Sequence, residues 1–119
     1  MTRKKSYSAD IYFRFLQLTK ALRGLPSLPA LDPLEERLLE LVACARQQQE
    51  RLSVLDMIAK SELGSPAMLH KRLHSLRKKG WIQLAETEDA RRKQVELTPE
   101  ALSYFDQLSQ CMVEAANKD

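Results

Sequence analysis

Residues 53–98 read SVLDMIAKSELGSPAMLHKRLHSLRKKGWIQLAETEDARRKQVELT, and this run decides the fold. Ser53 stands before an apolar-periodic segment, with Asp56 three positions on, and the segment breaks at Gly64. That is a short capped helix, with Val54, Leu55, Ile58 and Ala59 as its expected core face. Gly64 suits a left-handed turn because it lacks a Cβ. Ser65-Pro66 opens a second helix: serine accepts the unpaired first-turn N–H groups, and proline fits the first helical position. Leu69, Leu73 and Leu76 form its buried stripe at i, i+4 and i+7, and Gly80 ends it. Two alternating runs follow, WIQLAE and KQVEL, around the charged turn TEDARR, which predicts a hairpin. The second helix carries Lys71, Arg72, Arg77, Lys78 and Lys79 and no acid, and the hairpin tip adds Arg91, Arg92 and Lys93. A basic helix beside a basic-tipped hairpin is the layout of a winged helix-turn-helix, which sets the helix in the major groove and the wing on the backbone.

Upstream, Asp32-Pro33-Leu34-Glu35 is a helix start with the elements of a capping box. Leu34, Leu38, Leu41, Val42 and Ala45 are the expected buried face of that helix. The polar run QQQERL reads as its frayed end and a loop, with a short pairing strand for the wing at Leu52. Residues 25–31, LPSLPAL, are a proline-punctuated connection. The first helix starts at Ser8 or Asp10 and ends near Arg23-Gly24, with Ile11, Phe15, Leu18, Leu22 and Leu25 on one face. Tyr12, Phe13 and Leu16 widen that stripe. The surplus aromatic surface suggests a contact with another subunit; the alternative is burial within one chain. Downstream, Thr98-Pro99-Glu100 starts the last helix. Its stripe is Leu102, Phe105, Leu108 and Met112, with Ala101, Tyr104, Cys111 and Ala115 beside it.

The expected fold is therefore mainly α with a small β-hairpin: a winged helix-turn-helix flanked by N- and C-terminal helices. Residues 1–8 are a basic tail, in which Arg3, Lys4 and Lys5 are solvated or touch phosphates. Residues 9–31 and 99–119 carry the dimer contacts Ile11, Phe15, Leu18, Leu22, Phe105, Leu108 and Met112. Residues 32–98 form the DNA-binding part.

A chain of 119 residues fits one domain with dimerisation arms, and 44% hydrophobic content suffices for a core. The formal net charge is only +3. Its placement is more telling, because the eight Lys and Arg of residues 65–93 face only Glu86, Glu88 and Asp89. Cys44 and Cys111 are expected reduced in apolar packing, without metal-ligand spacing. No apolar run reaches transmembrane length and the basic N-terminus lacks a signal-peptide core, so a cytoplasmic protein without membrane contact is expected. No nucleophile–base–acid constellation or glycine-rich phosphate loop supports an enzyme, and no cofactor is expected.

The run SVLDMIAKSELGSPAMLHKRLHSLRKKGWI, with Asp89-Ala90-Arg91 and then Leu97-Thr98 in the wing, resembles the MarR family of bacterial winged-helix transcription regulators. The resemblance runs from about Asp32 to Phe105. It implies a homodimer that represses by covering promoter DNA, with release by a small-molecule effector or by oxidation in many members. It also places Arg91 as the wing residue that enters the minor groove. Two departures stand out: Ala101 where the family often has glycine, and a shorter C-terminal helical region.

For DNA contact, Lys71 and Lys78 on the outward face of the second helix are phosphate ligands, together with the helix N-terminus at Ser65. Ala67, Met68, His70, Lys71 and His74 are placed for base edges, with Lys71 on guanine and Ala67 or Met68 on a thymine methyl. Arg92 and Lys93 assist on the wing. Arg72 lies nearer the core and pairs with an acid. His70 and His74 have metal-compatible spacing but no third ligand, so no metal is expected. The competing readings are a protein-interaction module with an acidic partner, or a plasmid- or phage-borne accessory DNA-binding protein.

Overall fold

The computed structural model describes residues 8–23, 28–89 and 92–117. The basic tail, Leu25 and Arg91 lie outside them. The elements are α1 (Ala9–Arg23), α2 (Pro33–Gln47), α3 (Val54–Ile58), α4 (Pro66–Lys78), β1 (Ile82–Ala85), β2 (Gln94–Leu97) and α5 (Pro99–Asn117). Mainly α with one hairpin is the architecture the sequence predicts. Two compact units are present, one of residues 28–102 and one of the described parts of 1–27 and 103–119.

In the larger unit each helix starts where the sequence places a cap. The Asp32 carboxylate accepts from the Glu35 N–H at 2.7 Å, and Glu35 accepts in return from the Asp32 N–H at 2.9 Å. Ser53 and Asp56 form a second reciprocal box at 3.0 and 2.9 Å. At α4 the Ser65 hydroxyl accepts from the Met68 N–H at 3.2 Å. These bonds satisfy first-turn donors that have no partner within the helix. The other end of α4 closes with paired bonds, Gly80 N–H to Arg77 O and Trp81 N–H to Leu76 O. This closure needs a left-handed residue, and Gly80 has φ +88°. A Cβ there would also lie 3.3 Å from Leu28 Cδ2.

The hairpin is antiparallel, with Ile82 opposite Leu97 and Leu84 opposite Val95. Ser53 adds an isolated bridge to Gln94, and Leu52 O accepts from the Val95 N–H, so the expected short third strand is present as a single bridge. Trp81, Ile82, Val95 and Leu97 turn inward onto Leu38, Leu39, Val42, Met57, Leu69, Leu73 and Leu76, all buried. Each large apolar side chain so buried is worth about 1.5–3 kcal/mol. The Trp81 indole N–H donates to Pro29 O at 2.9 Å, anchoring the chain that leads into α2.

Three expectations about packing need correction. The third helix is only Val54–Ile58, with Met57 as its inward residue; Leu55 is 57% exposed and Ala59 is exposed. A helix of little more than one turn has room for one core position, and the capping box fixes its phase. On α2 the buried positions are Glu35, Leu38, Leu39 and Val42, with Leu34, Leu41 and Ala45 only half-buried. That helix packs on both α4 and β2, which rotates its covered arc. Cys44 is exposed rather than packed, and Cys111 is buried; both are free thiols. Gly64 does have the positive φ expected of it, +158°, a conformation that side chains with a Cβ rarely adopt.

In the smaller unit Ser8 immediately precedes α1, and its hydroxyl accepts from the Asp10 N–H at 3.0 Å. The Arg14 guanidinium donates twice to Ala115 O, at 3.1 and 2.8 Å, placing a cation on the carbonyl end of α5. Cys111 and Ala115 are buried, while Met112 and Val113 are 57% and 58% exposed. The stripe of α5 is thus turned one position from the one read through Met112. Ile11, Phe15, Leu18, Leu22, Phe105 and Leu108 are half-buried, and Tyr12 and Phe13 are exposed.

Candidate nucleic-acid interface

The outward side of α4 follows from its inward side. Leu69, Leu73 and Leu76 are fixed in the core, so Ala67, His70, Lys71, His74 and Lys78 project away and are all exposed. Met68 is 47% exposed, unusual for so large an apolar side chain. Ser65 is exposed at the N-terminus of the helix. The site residues named from the sequence on α4 therefore share one surface, and α4 contributes no carboxylate to it.

Arg72 stands apart. Its Nε lies 2.8 Å from Asp32 Oδ2, an ion pair by distance with the N–H aimed off the oxygen. Lys79 is likewise turned inward, to Glu35 at 2.7 Å and to Ala30 O at 2.9 Å. Burial alone would raise the Glu35 carboxyl, but hydrogen bonds from Lys79, Ser75 and the Asp32 N–H outweigh it and hold it below its ordinary range. The cations left to the outer surface are Lys71, Arg77 and Lys78.

Arg77 is a residue that the sequence reading left out of the site. It is exposed and borders a 390 Å³ groove between α4 and the hairpin, together with His70, Lys71 and His74. The groove floor is Val54, Leu73, Ile82, Leu84 and Val95. The signal was in the sequence: Arg77 follows His74 by three and His70 by seven, spacings that share one helix face.

On the wing, the Thr87 hydroxyl lies 2.8 Å from Asp89 O and 2.7 Å from Arg92 O, and the Arg92 N–H donates to Asp89 O at 2.9 Å. These contacts shape the turn, in which Asp89 takes part through its carbonyl. Arg92 is exposed, and Lys93 is ion-paired to Glu86. Arg51 pairs with Glu88 at 3.0 Å. The Glu88 carboxyl lies below its ordinary range through its own backbone N–H first and then Arg51. Asp56 is lowered by the Ser53 N–H and hydroxyl, with a smaller contribution from Arg92. The wing cations thus stand among carboxylates that composition alone did not pair with them.

Among the described residues no cluster of three or more His, Cys, Asp or Glu is placed to hold a metal, and no helix is long and apolar enough to cross a membrane.

No family model and no curated protein sequence matches the chain. Solved structures do. MepR of S. aureus in complex with DNA superposes with a TM-score of 0.58 at 18% identity, over 89% of this chain and 72% of that one. MepR bound to ethidium bromide gives 0.58 at 18% identity, over 92% and 79%. The adhesin competence repressor AdcR of Streptococcus pyogenes gives 0.51 at 25% identity, over 93% and 78%. The chain has the MarR-type winged-helix fold. In that MarR-type fold α3 and α4 are the helix-turn-helix pair and the β1–β2 hairpin is the wing. The exposed side of α4 is basic and free of acid, while the described part of the wing tip carries cations and carboxylates together.

Proposed function

We propose that the chain is a double-stranded DNA-binding transcriptional regulator that acts as a homodimeric repressor. Residues 65–79 enter the major groove, and the wing, residues 86–93, lies on the backbone and minor groove. The observation that carries this reading is the side of α4 on which Ala67, Met68, His70, Lys71, His74 and Lys78 are all exposed with no acid among them. Lys71, Arg77 and Lys78 supply charge toward phosphates, and the Ser65 end of α4 supplies N–H groups. Met68, His70, Lys71 and His74 meet base edges, with Lys71 as donor to guanine and Ala67 or Met68 against a thymine methyl. Arg92 and Lys93 hold the wing to the backbone, beside Arg91.

The fold neighbours support the reading: MepR is seen with DNA, and AdcR is named a repressor. MepR is also seen with ethidium, which favours a small-molecule effector for this chain too. Residues 9–31 and 99–119 carry the dimer contacts, and a two-fold dimer sets two copies of α4 about 34 Å apart, one turn of DNA.

Fluorescence anisotropy with a labelled pool of random duplexes tests this. Binding whose affinity falls steeply with salt is expected, with a log–log slope of roughly −3 to −6 for that many phosphate contacts. Absence of binding at low salt overturns the proposal.

A further inference from the structure

The start of α2 does more than cap its own helix. Arg72 and Ser75 of α4 and its C-cap residue Lys79 lie along one stripe, and all three reach the capping box Asp32–Glu35. Arg72 Nε is 2.8 Å from Asp32 Oδ2. The Ser75 hydroxyl donates to Glu35 Oε2 at 2.6 Å, and Lys79 Nζ donates to Glu35 Oε1 at 2.7 Å. Glu35 Oε1 also accepts from the Asp32 N–H, so one carboxylate takes three donors from two helices. Glu35 is 1% exposed. A charge so buried is costly to leave unpaired and adds little net stability over an apolar contact, so its use lies in fixing a geometry. Leu69, Leu73 and Leu76 hold α4 against the core, but apolar contact is non-directional and permits sliding and rotation. The two hydrogen bonds from Ser75 and Lys79 to Glu35 are directional, and they set both axial position and rotation, with the Arg72–Asp32 charge pair beside them.

We infer that Glu35 is a positioning residue for DNA reading: it fixes the register of α4 so that Met68, His70, Lys71 and His74 meet base edges. The inference rests on the proposed DNA-binding function. Glu35 itself lies on the side of α4 turned away from the duplex, and it touches no DNA. Base readout depends on short, directional hydrogen bonds, whereas phosphate contacts from long flexible lysines tolerate a displaced helix. Loss of the Glu35 contacts therefore acts on discrimination between sequences and spares general affinity.

The test compares wild type, Glu35→Gln and Ser75→Ala on two duplexes, one selected from a random pool by the wild-type protein and one of scrambled sequence. Circular dichroism and urea unfolding first establish that each variant is folded. Both variants are expected to lose about tenfold affinity for the selected duplex, the size of one lost base-pair contact, with the scrambled duplex and the salt slope unchanged. Ser75→Ala leaves the charge of the site intact, so its agreement with Glu35→Gln supports positioning over electrostatics. Equal discrimination by the wild type and both folded variants overturns this inference alone. Equal losses on both duplexes also overturn it, because they show a general effect. A wild-type protein that binds neither duplex overturns the functional proposal and this inference together.

Discussion

The Thr98 hydroxyl donates to Gly80 O at 2.6 Å and accepts from the Ala101 N–H at 3.0 Å. One buried oxygen thus joins the residue that ends α4 to the first turn of α5. Removing it strands a carbonyl and an amide, and each buried unpaired group costs about 1–3 kcal/mol. Thr98→Val, which keeps the shape, is expected to lower unfolding stability by about 2 kcal/mol, and Thr98→Ser to recover most of it. Urea midpoints for the three proteins decide the matter, and an unchanged midpoint for the valine variant would remove the bond from any structural role.

Glu35 also makes stability depend on pH. Its folded carboxyl lies below its ordinary value of 4.5, because its hydrogen bonds outweigh the opposing burial. The unfolded chain therefore takes up the proton first as pH falls. The contribution is complete above the ordinary value and disappears as pH drops through the lower folded value. Asp56 acts in the same direction from 3.8, through the Ser53 N–H and hydroxyl. Urea midpoints are expected to hold between pH 7 and 5 and to fall below pH 4.5, with a shallower fall in Glu35→Gln. Lys79→Met should cost more than Glu35→Gln at pH 7, roughly 3 kcal/mol, since it leaves a buried carboxylate without its cation whereas the lysine is free to turn to solvent. Equal costs for the two variants would refute that asymmetry.

The caps and breaks explain how much of this was legible in the chain. Asp32, Ser53, Ser65 and Thr98 each announce a helix start through local chemistry, and local chemistry is what a sequence displays directly. The α4 face was legible for a similar reason: Leu69, Leu73 and Leu76 fix its phase, and the outward residues follow. Leu55 and Met57 show where this fails. On so short a helix no period exists to read, and the neighbouring elements choose the inward residue. Glu35 shows a different failure. It reads only as a capping-box acid, and the approach of Ser75 and Lys79, forty and forty-four positions later, makes it a buried junction. The pairing of Lys93 with Glu86 and of Arg51 with Glu88 was equally hidden, since it depends on the path of the wing.

Those wing pairs lead to a prediction about DNA. Glu86 and Lys93 are 72% and 40% exposed, so their pairing contributes little to stability, and the carboxylate competes with phosphate for the ammonium. Glu86→Gln is expected to tighten binding by about threefold and to steepen the salt slope by up to about one. Arg92→Ala is expected to weaken binding evenly across sequences and to reduce the slope by about one. Anisotropy titrations at four salt concentrations measure both. Identical slopes in all three proteins would exclude Lys93 and Arg92 from the phosphate contacts.

The last prediction concerns the dimer. Tyr12 and Phe13 on α1, and Met112 and Val113 on α5, are each more than half exposed. Together with half-buried Ile11, Phe15, Leu18, Leu22, Phe105 and Leu108, they leave apolar surface on both helices of the smaller unit that one chain does not cover. Burying one such side chain against a second copy yields about 1.5–3 kcal/mol, and a charge in its place both forfeits that and requires desolvation. Phe13→Asp and Met112→Asp are therefore each expected to weaken self-association by on the order of 100-fold. Neither side chain is buried within its own chain, so the melting of the isolated chain should change little. Sedimentation across a hundredfold range of concentration resolves this. A wild type that stays monomeric throughout would overturn the homodimer, while a wild-type dimer unaffected by both substitutions would move the interface to another face.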